Sequence, residues 1–247
     1  MGAAGAAAVK AALAQVATPE RAKASAWYFK TGKGQYGEGD QFIGVSVPQQ
    51  RKVARQFETL PLVAIETLLA SPIHEHRLTA ALILVRQYER AKHDPDRQAE
   101  IAAFYVDHLK GINNWDIVDS SAPQILGAHL LPKKNRRTVL RRYAKSEILW
   151  ERRVAILATA SFIRAGQFAD TLELAGQLLH DKEDLIQKAT GWMLREVGKK
   201  DERVLRDFLD SHAQRMPRTM LRYAIEKLPV AERQQYLAAS KNVARRT

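Results

Sequence analysis

Residues 113–121 read NNWDIVDSS, and three of them, Trp115, Asp116 and Asp119, carry side chains with chemistry to offer. On a helix Trp115 and Asp119 are four apart and share a face, whereas Asp116 points about 100° away from Trp115. Further on, IQKATGWMLREVGKK sets Lys188 and Trp192 at the same spacing. An indole face attracts a cation by about 0.5 to 2 kcal/mol. A carboxylate about 4 Å from a positive charge gains about 4 kcal/mol at an effective dielectric near 20, on the order of a thousandfold in rate if that charge develops in a transition state. Two indoles and one carboxylate therefore describe a site for a cation. Asp116 reads differently, as a first-turn acid favoured by the helix dipole and able to cap free N–H groups. Asp119 has a competing reading too, because DSSAP resembles a helix start. Core packing is the ordinary role of tryptophan, and it suits Trp27 and Trp150 more than Trp115 or Trp192.

A carboxylate at such a place is unexpected in a chain of formal net charge +12. Residues 1–120 hold 14 Lys and Arg against 13 Asp and Glu, while residues 121–247 hold 25 against 14. The second half carries the field. Within it PKKNRRTVLRRYAK (132–145) has seven cations, among them Lys133, Lys134, Arg136 and Arg137, and no acid. A solvated helix face is the plain reading of such a run; a one-sided field of this size more often serves a polyanion, nucleic acid foremost. Phosphate binding alone gives no reason to keep Asp119, whereas a reaction passing through a positive charge does.

The elements that must position these residues are helical. Nine prolines punctuate the chain, nearly all at the head of a segment with helical apolar spacing, where a missing N–H costs nothing. HRLTAALILVRQYER, ERRVAILATASFIRAG and IQKATGWMLREVGKK place apolar residues at i, i+3, i+4 and i+7, and no segment reads as a strand. Aligning first turns puts Arg77, Trp115, Arg153, Lys188 and Arg222 in register, 34 to 38 residues apart. That period belongs to stacked helix pairs of the HEAT or armadillo kind. It predicts an all-α solenoid of helical repeats forming one domain over 1–247, with these five residues lining a concave basic groove and Asp119 and Trp192 one turn further on. The irregular segment is TGKGQYGEGDQFIGVS (31–46), whose four glycines from Gly32 to Gly39 suggest a mobile loop. It lacks the order of a phosphate loop.

Other chemistry is excluded or disfavoured. The chain has no cysteine, so disulfides and thiolate metal sites are out. The opening MGAAGAAAVKAALAQVA has Lys10 inside its apolar run, no charged region ahead of it, and Ala6 where a myristoylation signal needs Ser or Thr. It reads as a first amphipathic helix. No stretch approaches the roughly 18 to 20 apolar residues of a membrane span, so a soluble intracellular protein with no membrane partner is expected. Among seven histidines only His74 and His76 lie close, and residues two apart do not face each other on a helix. A helix-start or surface role suits them, and no metal or cofactor is expected. A serine nucleophile within DSS lacks both a G-x-S-x-G setting and a base.

Longer strings carry a resemblance. WYFKTGKGQYGEGDQFIGVSVPQQRKVARQF, NNWDIVDSSAPQILG, WERRVAILATASF and LIQKATGWMLREVGKK resemble the bacterial DNA alkylation repair family of HEAT-like-repeat glycosylases, over roughly residues 10 to 240. The W-D-x-V-D and Q-K-A-x-G-W-x-L-R-E strings are fairly specific to it. The resemblance implies a right-handed superhelical solenoid holding duplex DNA that contains alkylated bases, and a cytoplasmic, nucleoid-associated monomer. The implied reaction is hydrolysis of the N-glycosidic bond of 3-methyladenine and 7-methylguanine. Asp119 matches the family's catalytic aspartate, and Trp115 and Trp192 match its cleft tryptophans. Arg153 matches an arginine expected to hold phosphate near the lesion, and Tyr28 matches an early DNA-contacting tyrosine. Lys188, Arg195, Arg222, Lys133, Lys134, Arg136 and Arg137 join them as DNA contacts. With about five phosphates held, log affinity should fall with log salt at a slope near −4.5.

One residue departs from the pattern: members can carry a double tryptophan before the first acid, and here the first of that pair is Asn114. That leaves the cleft less aromatic and bears on substrate range. The implied chemistry suits the residues. A base already positive leaves without a general acid, so the enzyme's task is to stabilise the oxocarbenium sugar and position water. Most glycosylases flip the base into a pocket; this family is held to act without flipping, so no deep pocket is expected. Two other readings stand beside this one, a non-catalytic binder of unusual DNA structures and a helical-repeat scaffold for an acidic protein.

Overall fold

Helices make up most of residues 2–244, the part of the chain that the computed structural model describes. In chain order they are α1 (Gly2–Ala14), α2 (Pro19–Tyr28), α3 (Val47–Gln56), α4 (Leu62–Leu69), α5 (His74–Arg90), α6 (Pro95–Asp107) and α7 (Trp115–Asp119). After them come α8 (Ala128–Leu130), α9 (Arg136–Ala144), α10 (Leu149–Ala158), α11 (Ala160–Arg164), α12 (Ala169–Gln177), α13 (Asp184–Lys200), α14 (Glu202–His212), α15 (Arg218–Ala224) and α16 (Val230–Ala244). Pro19, Pro48 and Pro95 stand in the first turns of α2, α3 and α6, and Pro61 and Pro217 immediately precede α4 and α15. The fold is all-α, as the periodicity predicts. Among the described residues the extended pairing is confined to an isolated bridge between Gln41 and Ile73.

The chain forms two compact units, Met1–His129 and Leu130–Thr247. The first is organised on α5, whose residues from His74 to Val85 are all buried, as befits a helix covered on every side. It packs against α3, α4, α6 and α7. The N-terminal helix α1 contributes Ala6, Val9 and Leu13, a buried stripe at helical spacing. From α6, buried Tyr105 donates to Ser121 Oγ at 2.9 Å, and Ser121 donates on to the Ile117 carbonyl at 2.6 Å. This chain of bonds fastens the end of α7. The backbone then widens into a π-type turn at Pro123–Gly127, with the Gly127 N–H reaching the Ala122 carbonyl at 2.9 Å.

The 31–46 segment departs from the expectation of a mobile loop, because its second half is bolted to α5. Buried Glu75 accepts the backbone N–H groups of Ile43, Gly44 and Val45 at 3.1, 2.8 and 3.2 Å. The bridge adds Gln41 N–H to the Pro72 carbonyl at 3.1 Å and His74 N–H to the Gln41 carbonyl at 2.8 Å. Gly44 has φ +84, and a Cβ there would lie 2.0 Å from the Thr18 carbonyl oxygen. Only glycine fits that conformation and that approach.

The second unit is organised on α13, which packs against α10, α11, α12, α14 and α15. Leu194 of α13 joins Leu205 and Leu209 of α14 and Met220 and Leu221 of α15 in one core. Gly191 permits the tight α13–α15 contact, since a Cβ there would sit 2.4 Å from the Met220 carbonyl oxygen. The glycine of the G-W string is thus a packing residue that sets the helix on which Trp192 stands.

Glu75 yields a test. Glu75→Ala leaves three backbone donors without their acceptor, at about 1–3 kcal/mol for a buried group, so its urea midpoint should fall clearly below that of the wild type. Glu75→Gln keeps one acceptor oxygen and should fall by less.

Candidate active site

The short helix α7 owes its placement to a buried charge cluster. Its N-cap, Asn114, is fully buried and accepts the Trp115 N–H at 2.8 Å. The Asn114 Nδ2 donates to Asp40 Oδ2 at 2.9 Å. His74, buried at the head of α5, reaches Asp40 Oδ2 through Nδ1 at 3.0 Å and Asp116 Oδ2 through Nε2 at 2.9 Å. Arg77 closes the cluster, donating to Asp40 Oδ1 at 2.6 Å, to Asn113 Oδ1 at 3.0 Å and to the Ser71 carbonyl at 3.0 Å. Burial disfavours the His74 imidazolium, yet its bonds to Asp116 and Asp40 prevail and push its pKa up to about 9. Burial likewise works to raise the Asp40 carboxyl, but His74, Arg77 and Asn114 together hold it below the ordinary carboxylate value. Two acids and two cations compensate one another inside the protein.

A stack of rings covers this cluster. Phe42 lies 4.7 Å from His74 and Phe29 lies 4.8 Å from it, centroid to centroid. Phe29 then stacks on Trp115 at 5.3 Å and 17°, and Tyr28 meets the Trp115 ring edgewise at 6.1 Å. Trp115 is half-buried and held between these contacts, while Tyr28 is 58% exposed. Asp119, half-buried, is the last residue of α7, one turn beyond Trp115. The next helical turn has Ala122 as its N-cap, so Asp119 does not occupy a helix start. Burial pushes the Tyr105 phenol far up, and the negative charge of Asp119 adds to that push.

Several expectations are revised in this unit. Arg77 is buried, and its guanidinium is engaged by Asp40, Asn113 and the Ser71 carbonyl, so little of it is offered to a phosphate. His74 and His76 are at a helix start but not on the surface, both being buried. Asp116 does accept a local backbone N–H, that of Ile117 at 2.8 Å, and it is also a partner of His74. Asn114 faces the interior, so its lack of an aromatic ring is not felt in an open cleft. Trp27, expected in the core, is 84% exposed, and Trp150, of the second unit, is half-buried.

In the second unit Arg153, Lys188 and Arg222 are each the fifth residue of their helices, α10, α13 and α15. Their surroundings differ. Arg153 is 5% exposed and donates to the Leu185 carbonyl, so little of its guanidinium is offered to a phosphate. Lys188 pairs with Asp184 one turn before it at 2.6 Å, and Arg222 is exposed. Trp192 is half-buried and donates its indole N–H to Glu196 at 3.0 Å. Arg195 pairs with Glu226. The 132–145 run is less bare than its sequence suggests, because α12 brings acids to it. Asp170, 2% exposed, takes Arg136 at 2.9 Å and Arg137 at 3.2 Å, and Glu173 takes Arg137 at 3.1 Å and also Arg141. Lys133, Lys134, Arg142 and Lys145 are exposed and paired with neither acid, Arg142 lying over the Tyr143 ring.

The residues that sequence reasoning missed are Asp40, His74, Phe29, Phe42 and Glu75. The G-D-Q-F string and the H-E pair were visible, but nothing local announces that 34 residues of separation bring them together.

The raised pKa of His74 sets a pH window. The group binds its proton more tightly when folded, so its contribution is fully present below about 6.5, the unfolded value, and is lost as pH rises through about 9. A shift of this size is on the order of 3 kcal/mol. Denaturation at pH 6.5 and pH 9.5 should show the wild type losing stability over that range, and His74→Gln losing markedly less. Parallel curves for the two proteins would remove the charged clamp.

Comparison with known proteins supplies a context for this geometry. A solved structure described as a predicted DNA alkylation repair enzyme from Enterococcus faecalis aligns with a TM-score of 0.68 at 19% identity, covering 87% of this chain and 97% of that one. At that identity the likeness establishes a shared fold. No curated protein matches. A family model described as DNA alkylation repair enzyme matches residues 9–228, and with nearly the whole length matched, this chain belongs to the DNA alkylation repair enzyme family.

Proposed function

We propose that the protein is a DNA glycosylase that hydrolyses the N-glycosidic bond of cationic alkylated purines, 3-methyladenine and 7-methylguanine, in duplex DNA. Membership of the family supports a role in alkylation repair; the observation that carries the finer reading is Asp119. Its carboxylate is half-buried at the C-terminal end of α7, where the helix's own carbonyls disfavour negative charge. It follows Trp115 by one turn, on the face an aromatic stack supports. An acid one helical turn from an indole suits a positive ligand.

In this reading the alkylated base, already cationic, departs with the bonding electron pair of the C1′–N bond and leaves as a neutral purine. The positive charge passes to the sugar. Asp119 stabilises that oxocarbenium ion and accepts a hydrogen bond from the water that attacks C1′, the proton being released on attack. Trp115 offers its ring face to the same charge. Trp192 is the second indole assigned to the reaction. Tyr28, Arg153, Lys188, Arg195, Arg222, Lys133, Lys134, Arg136 and Arg137 are assigned to the DNA backbone, and of these cations Lys133, Lys134, Arg137 and Arg222 are exposed. The protein acts as a monomer in the cytoplasm, at the nucleoid, and needs no cofactor.

The experiment is incubation with methylated duplex DNA and chromatography of the released bases. Wild-type protein should release free methylpurines. Asp119→Asn should lose on the order of a thousandfold in rate, the value of about 4 kcal/mol for one close charge pair, while binding duplex DNA equally or better. Full activity in Asp119→Asn would remove the mechanism.

A further inference from the structure

A second aromatic feature of the first unit lies outside the catalytic assignment. None of the residues of α2 is buried, and in its last turn Trp27 is 84% exposed. Trp27 and Tyr28 are consecutive, so they point about 100° apart. Tyr28 takes the side that meets Trp115, and Trp27 makes no ring contact among the described residues. An indole left bare on a helix with no core duties is costly to keep in water. Lysines flank it in the chain. Lys23 is one turn before Trp27 on the same face, and Lys30, whose N–H bonds back to the Trp27 carbonyl at 3.3 Å, folds over the helix end. Lys33 follows, also exposed. The next acids along the chain on either side are Glu20, two turns earlier, and Glu38, whose carboxylate accepts the Gly34 N–H at 2.7 Å.

An exposed aromatic ring with exposed lysines before and after it in the chain suits the stacking of one base while its flanking phosphates are held. In an intact duplex both faces of every base are already covered, so an open indole has nothing to stack on. We infer that Trp27, with Lys23 and Lys30, forms a seat for one unpaired base of the bound DNA, next to the Tyr28–Trp115 contact. This rests on DNA being the ligand of this face and is otherwise separate from the chemistry at Asp119.

The test compares two labelled DNAs, a fully paired duplex and the same duplex with one extra unpaired nucleotide, by fluorescence anisotropy across a salt series. Base stacking on an aromatic side chain is worth roughly 5- to 150-fold in affinity. Wild-type protein should prefer the bulged DNA by a factor in that range. Trp27→Ala should bind both DNAs alike, with its salt slope unchanged, and Trp27→Tyr should keep most of the preference. The double variant Lys23→Ala/Lys30→Ala should flatten the salt slope by about 1.8. Equal binding of the two DNAs by wild type, or an undiminished preference in Trp27→Ala, would overturn the inference. Release of methylpurines by the same preparations, measured in parallel, keeps the proposed activity standing in that event. A wild type that binds neither DNA would remove both. Because Trp27 is on the surface, its replacement should leave the thermal midpoint in place.

Discussion

The first unit depends on one buried histidine holding two carboxylates. Asp40 comes from the glycine-rich segment, His74 from the head of α5 and Asp116 from the first turn of α7, three stretches far apart in sequence. A five-residue helix has too few hydrogen bonds to hold itself in place. α7 is positioned by what lies beneath it: the Asn114 cap, the Asp116 bond to His74, and Tyr105 acting through Ser121 at its far end. The rings of Phe29 and Phe42 close over the imidazole and continue into Trp115. Shielding from water strengthens the ion pairs below, and the ion pairs fix the rings above. The placement of Trp115 and Asp119 is a consequence of both.

Acids in this basic chain thus do three different jobs. Asp40, Asp116 and Glu75 are internal fasteners that face His74, Arg77 or backbone N–H groups. Asp170 and Glu173 act on the 132–145 run, taking Arg136, Arg137 and Arg141, while Lys133, Lys134, Arg142 and Lys145 are exposed and paired with neither acid. The outward field is therefore smaller than the count of cations implies, and also more localised. Asp119 is distinguished by its place in the helix. It ends a helix, where a carboxylate gains nothing from the dipole, and it follows an indole that is itself braced by a stack.

What could be read from the sequence followed from local rules. Proline before apolar periodicity placed the starts of α2, α3, α4 and α6, because a missing N–H is harmless only there. The spacing of Arg153, Lys188 and Arg222 translated into one and the same helical position in α10, α13 and α15. Of the candidate site, the Trp115–Asp119 pair was legible for the same reason, since both lie within one turn. Failures came where partners are distant. The bond from Arg77 to Asp40 spans 37 residues and has no local signature, and four glycines suggest looseness because Glu75, some 30 residues on, is what fastens the chain after them. Trp27 failed differently. Bulk and hydrophobicity argue for the core, but a residue's burial is decided by whether its helix has anything to pack against on that side, and α2 does not.

This last point bears on why a protein of the alkylation repair family would be built so. Affinity for phosphates needs only exposed cations, which the second unit has in plenty. A rigid, half-buried acid adds nothing to such affinity and repels the same phosphates, more so as water is excluded. Keeping it fixed further requires a charged cluster whose desolvation is only recovered if every partner is present. The cluster holds the first unit together whatever the ligand, and the proposed activity gives the placement of Asp119 a further purpose. Preorganised electrostatics is that purpose, because an acid held still before the reaction begins has no reorganisation left to do when the sugar becomes positive. Under the proposed activity, His74, Asp40 and the ring stack serve Asp119 only through the placement of α7, without touching the substrate.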